Sequence, residues 1–120
     1  MAKKLLAYNI TDNRNTLLRA IGASQNVEVV RVPHNLYSAS LGYVADISGI
    51  ERHAKYTDKC AIESEMLVFS GLTPDEVDAF LAFMKKEKLS IPLKAIMTMY
   101  NVNWSGNKLY GELRREYGKL

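Results

Sequence analysis

The stretch from Glu65 to Glu76, E-M-L-V-F-S-G-L-T-P-D-E, constrains the fold more than any other part of the chain. Four apolar residues, a Ser-Gly turn and a well-marked helix start read as buried strand, tight turn and helix. Thr73 begins the helix, Pro74 takes its first position, and Glu76 is placed to complete a capping box with Thr73. Val77, Phe80, Leu81 and Met84 recur at i, i+3, i+4 and i+7, a stripe that must face a core. The same grammar returns at Lys94 to Ser105, K-A-I-M-T-M-Y-N-V-N-W-S, with a strand at Ala95 to Met99 and a final helix capped by Ser105 and carrying Leu109, Leu113 and Tyr117. Gly106 and Gly111 weaken that helix by about 1 kcal/mol each relative to Ala.

The N-terminal part supplies two more strands. Leu5 to Tyr8 is a short apolar run of the kind buried on both faces. Thr11 or Asp12 can cap a helix that carries Leu17, Leu18 and Ile21 up to Gly22. The β-branched residues Val27, Val29, Val30 and Val32 then give a strand that Pro33 stops. From Pro33 to Glu65 the pattern weakens. Leu36, Leu41, Tyr43, Val44 and Ile47 can line a short helix before Gly49, and about 48–64 is expected to be irregular or mobile. No internal repeat longer than the strand-helix unit is visible. The expected fold is a single α/β domain over 1–120: a small three-layer open sheet of about four mainly parallel strands, order 2-1-3-4, with helices on both faces.

Composition narrows the function classes. At 120 residues the chain is long enough to bury one core without staples. Sixteen Lys and Arg against thirteen Asp and Glu leave a net charge of +3, dispersed in the groups Lys3-Lys4, Lys85-Lys86-Lys88 and Arg114-Arg115-Lys119. The last two groups sit at helix carboxyl ends, where cations complement the helix dipole, so neither a nucleic-acid nor a membrane partner is expected. The seven tyrosines are too scattered for a base-stacking platform. One cysteine, Cys60, cannot form an intrachain disulfide and suits a reducing compartment, and a soluble, cytoplasmic protein without a leader is expected.

In open parallel sheets, ligands settle beyond the strands' carboxyl ends where the strand order reverses. Order 2-1-3-4 puts that point between the first and third strands, so Asn9, Thr11 and Asp12 are expected to meet Ser70, Gly71 and Thr73, with Thr98, Tyr100 and Asn101 nearby. Two helix amino ends there offer amides to a small anion, although Thr11, Asp12 and Thr73 are equally explained as caps. Trp104 lies just ahead of the last helix, as a packing staple or a pocket wall. No glycine-rich phosphate loop is present, and Asn9 with Asp12 falls short of the acidic cluster of a receiver domain. His53 and Cys60 are too few for a structural zinc site, and neither a metal nor another cofactor is expected. His34 reads as a turn residue.

The stretch M-L-V-F-S-G-L-T-P-D-E-V-D-A-F-L from Met66, continued by I-P-L-K-A-I-M-T-M-Y-N-V-N-W-S and on to Leu113, resembles a family of small bacterial proteins known as domain of unknown function 3783. The segment L-G-Y-V at Leu41 to Val44 is compatible with it. In that family a strand ending near Ser70-Gly71 precedes a capped helix, and a P-L-K-A turn leads to a Thr- and Asn-bearing segment before a Trp. Met99 and Tyr100 depart from the pattern. The resemblance implies these fold boundaries and a bacterial cytoplasmic origin, and no particular activity. The function expected is therefore a non-enzymatic regulatory or binding module, monomer or homodimer, for a small anionic ligand or a protein partner. The alternatives are a small hydrolase or transferase using the strand-end crevice and the long central loop, with Cys60 or His53 as its reactive group, and an assembly protein pairing through its sheet edges.

Overall fold

In the computed structural model, which describes residues 2–117, the four strands β1 (Lys4–Tyr8), β2 (Glu28–Arg31), β3 (Met66–Ser70) and β4 (Leu93–Ile96) form one sheet in the order β2-β1-β3-β4. The helices are α1 (Asp12–Gln25), the single turn α2 (Leu41–Val44), α3 (Pro74–Lys86) and α4 (Gly106–Tyr117). The α/β class and strand order are those expected from the sequence. Lys119 and the Tyr117 side chain lie outside the described residues.

β1 pairs with β2 in parallel, and β3 with β4 likewise, each pair joined by a helix that returns the chain to the end where it started. The central pair is antiparallel: Lys4 faces Ser70 and Tyr8 faces Met66. The connection from β2 to β3 begins and ends at the same end of the sheet, so it delivers β3 in the opposite sense. An all-parallel receiver-like sheet is thereby excluded.

Both central strands are buried on both faces, which explains their unbroken apolar runs. Leu5, Ala7, Leu67 and Phe69 face α1 and α3, where Leu18, Ile21, Val77, Phe80 and Met84 meet them. Phe69 and Phe80 pack edge to face at 5.4 Å. Leu6, Tyr8, Met66 and Val68 face the opposite layer, built from Tyr37, Leu41, Ala45, Ile62, Leu109 and Tyr110. The region from 48 to 64 lacks a period because it is fastened by backbone bonds to a neighbouring segment. Lys55 and Tyr56 amides both reach the Asn103 carbonyl, Ser105 N donates to Tyr56 O at 2.8 Å, and Ile62 is buried.

The helix starts differ. The α3 capping box is complete: Glu76 N donates to Thr73 Oγ1 at 3.2 Å and Thr73 N donates to Glu76 Oε1 at 2.8 Å. In α4, Lys108 N donates to Ser105 Oγ at 3.0 Å. In α1, Thr11 holds the cap position but its side chain makes no cap hydrogen bond. Asp12 pairs instead with Arg31, so the side-chain cap expected at Thr11 or Asp12 is not formed.

A repeat invisible in the sequence emerges from these details. Asn9 and Gly71, in left-handed backbone, end the strands ahead of Thr11 and Thr73. Asn26 and Lys88, also left-handed, end α1 and α3. Val27 N and Leu89 N close those helices with 2.8 Å bonds to Gly22 O and Met84 O. After β2 and β4 the chain turns, makes a bridge residue pair, and enters α2 and α4. The two bridge segments touch each other at Ser40 and Ser105. Leu6 and Val68, which face each other, are counterparts in the two halves, and so are Ser40 and Ser105. These contacts and the matching β1–β2 and β3–β4 registers fit an approximate two-fold relation between the β1–α2 half and the β3–α4 half.

Candidate functional site

The antiparallel central pair divides the residues expected at one crevice. Asn9, Thr11 and Asp12 follow the carboxyl end of β1, whereas Ser70, Gly71 and Thr73 follow that of β3, at opposite ends of the sheet. Five-residue strands put about 13 Å between the two ends of the sheet, and the two groups lie beyond those ends. The crevice between β1 and β3 is not formed.

At the β3–β4 end the polar side chains are spent on local structure. Thr98 N donates to Asn101 Oδ1 at 2.8 Å, Asn101 Nδ2 to Ile96 O at 3.1 Å, and Tyr100 N to Thr98 Oγ1 at 3.1 Å. Thr98 and Asn101 thus build a turn that leaves Met99 and Tyr100 80% and 81% exposed. Ser70 is buried, Thr73 is the α3 cap, and Lys3 pairs with Glu76 over this end. A Cβ on Gly71 would stand 2.3 Å from Ala2 O, so glycine is needed both for its positive φ and for close approach of the amino-terminal backbone.

At the β1–β2 end a cleft of about 500 Å³ opens, lined by Asn9, Thr11, Arg31, Pro33, His34 and Tyr37 among others. Two parallel strands both end here, and their following loops diverge to make the space. Tyr37 forms one wall, its ring 5.4 Å from that of Tyr8 and 4.8 Å from that of His34, and its hydroxyl accepts from Asn9 N at 2.9 Å. Arg31, the last residue of β2, pairs with Asp12 and donates through Nη2 to Ile10 O at 2.7 Å. That fixes a guanidinium beside the α1 amino end, whose amides lack the side-chain partner that Thr73 supplies in α3. None of the lining residues is acidic, and the Asp12 carboxylate stands at the flank, paired with Arg31. Asn9 and Asp12 fall at this site as lining and flank. Arg31, His34 and Tyr37 were missed, although applying the strand-end rule to the β1–β2 pair would have found the first two.

The remaining candidates lie elsewhere. Trp104 is half-buried in the layer beneath α4, with Lys108 Nζ 4.7 Å from its ring centroid. His53 is exposed and bridges Ala39, whereas Cys60 is half-buried beside Gly111 of α4, its thiol 3.8 Å from Ala61 O. Among the described residues, no three His, Cys, Asp or Glu are grouped to hold a metal ion, and no helix is long and apolar enough to cross a membrane.

Residues 65–118 match the family model for the Domain of unknown function (DUF3783). The resemblance read from the sequence is thus supported, over the segment that carried it. The DUF3783 match starts just before β3 and takes in β3, α3, β4 and α4, which is the second of the two half-units. The β1–β2 cleft lies outside the matched segment. No curated protein and no solved structure matches the chain.

Proposed function

We propose that this chain is a non-enzymatic binding module whose β1–β2 cleft takes a small anion. The observation that carries the reading is Arg31, held by Asp12 and Ile10 beside the uncapped start of α1, in a cleft lined by no carboxylate. Fixed donors and a helix amino end together favour negative charge. The ligand class is a phosphate ester or a small carboxylate, because the cleft volume falls within the roughly 300–1,000 Å³ of small-molecule sites. A bacterial cytoplasmic setting accords with the free Cys60 and the family resemblance.

Pyrophosphate titrated into ¹⁵N-labelled protein, against chloride at matched ionic strength, tests this. The expected result is saturable shifts at Asn9, Thr11, Arg31 and His34, weakened at least fivefold by Arg31→Gln and unchanged by Thr98→Ala. Shifts spread evenly over exposed lysines, or abolished by matching the ionic strength, would overturn it. The self-assembly alternative is tested by sedimentation, where a mass that does not change with concentration would argue against pairing through β2 or β4.

A further inference from the structure

A second cavity, of about 380 Å³, lies where the carboxyl end of α3 overhangs the start of the edge strand β4. Its floor is apolar, made by Leu81, Met84 and Ile91. Its mouth carries three cations, Lys85 and Lys88 from the end of the helix and Lys94 from the strand. The helix dipole accounts for the first two. It does not account for Lys94, which reaches the same mouth from another element. Lys94 faces Leu67 in the strand register, so its side chain is on the α3 side of the sheet, where its Nζ donates to Ile91 O at 2.6 Å.

Three further observations set this groove apart. Lys88 occupies a left-handed position, φ 57°, where glycine or asparagine is favoured, and its counterpart at the end of α1 is Asn26. No carboxylate lines the groove. Glu87 lines a different depression, against α1, and Asp78 stands a helical turn before Leu81, outside the lining. Among the described residues none of the three lysines makes an ion pair.

We propose that this groove binds a free single-chain anionic amphiphile, in its simplest form a medium-chain fatty carboxylate. The chain lies on Leu81, Met84 and Ile91, and the head group sits among Lys85, Lys88 and Lys94. Charge complementarity selects the anion and the apolar floor selects the chain. A membrane surface fits less well, because polybasic lipid-binding segments gather roughly four to eight cations.

The test follows methyl signals of Leu81 and Ile91 during titration with decanoate below its micelle concentration at low salt. Hexanoate and decyltrimethylammonium serve as comparators for chain length and charge. Saturable shifts in the groove are expected, at least tenfold weaker with hexanoate, since each buried methylene is worth about fourfold. The cation should not bind measurably. Replacing all three lysines by glutamine should weaken decanoate at least tenfold while the protein stays folded, with some loss of melting temperature from the helix end and the Lys94–Ile91 bond. Equal binding of decyltrimethylammonium, or decanoate shifts at Arg31 and His34 in place of the groove, would overturn the proposal. Co-sedimentation with phosphatidylglycerol vesicles, with groove signals unmoved by decanoate, would replace it with a membrane surface. The comparators act on the wild-type protein, so this does not depend on the variant's folding.

Discussion

Gly106 and Gly111 look like the same weakness in the sequence, two flexible residues in one helix, yet their surroundings make them opposites. A Cβ on Gly106 would stand 2.6 Å from Tyr8 Cε1 and 3.2 Å from Tyr37 O, inside the layer beneath the sheet. Gly111 would place its Cβ 3.1 Å from Asp58 Oδ2, a partly exposed side-chain end held by a 3.2 Å bond from Cys60 N and a 3.7 Å pair with Arg115, so a shift of a few tenths of an ångström accommodates it. Gly106→Ala should therefore destabilise by about 1–3 kcal/mol through overpacking. Gly111→Ala should be neutral or stabilise by up to about 1 kcal/mol, since alanine is the better helix former. Urea unfolding of the two variants checks the difference, and equal effects would refute it. No local pattern foretells this, because the atom that decides it belongs to Tyr8, distant in sequence. Burial also raises the Tyr8 phenol well above its ordinary range, desolvation first and charge repulsion from the Tyr37 phenol second, so Tyr8 stays neutral.

At the scale of elements, the two counterpart threonines separate a working cap from an idle one. Thr73→Ala removes a hydrogen bond to the Glu76 amide and should cost about 1 kcal/mol. Thr11→Ala removes no cap bond and should leave the melting temperature unchanged. The same corner governs the acid response. Glu76 titrates below its ordinary 4.5, first through the Lys3 ammonium and then through the Thr73 amide, so the folded state binds fewer protons than the unfolded chain. That stabilisation is fully present above the ordinary carboxylate value and fades as pH falls through the lowered one. Melting temperatures taken down the acid limb should fall less steeply for Glu76→Gln than for wild type. The capped α3 was legible because Thr73, Pro74 and Glu76 are adjacent in sequence. The cleft was not, because it depends on the sense of β3 relative to β1. That sense is decided by where the aperiodic chain between β2 and β3 comes back to the sheet.

For the molecule as a whole, the two-fold relation between halves explains both what was legible and what the DUF3783 match means. Each half announces itself locally as strand, helix and strand. Their kinship does not show in the sequence, because the counterparts share backbone conformation more than side chains: Arg31 corresponds to Ile96, and His34 to Met99. At equivalent positions one half presents a polar cleft holding the Arg31–Asp12 pair and the other an exposed apolar tip. The matched segment is one half-unit, and its strand β3 is buried from end to end with β1 covering one of its two edges. A chain of residues 65–117 alone would expose that strand's edge and much of both its faces, a surface that soluble monomers do not leave open. A second copy can restore the burial by the same two-fold operation, with Val68 facing Val68 of its partner and Ser105 facing Ser105. The isolated half-unit should therefore associate as an antiparallel dimer. Sedimentation equilibrium over a range of concentrations, with circular dichroism recorded alongside, checks this. A folded, concentration-independent monomer would show that the half-unit closes its own core and that the two-fold relation carries no energetic weight.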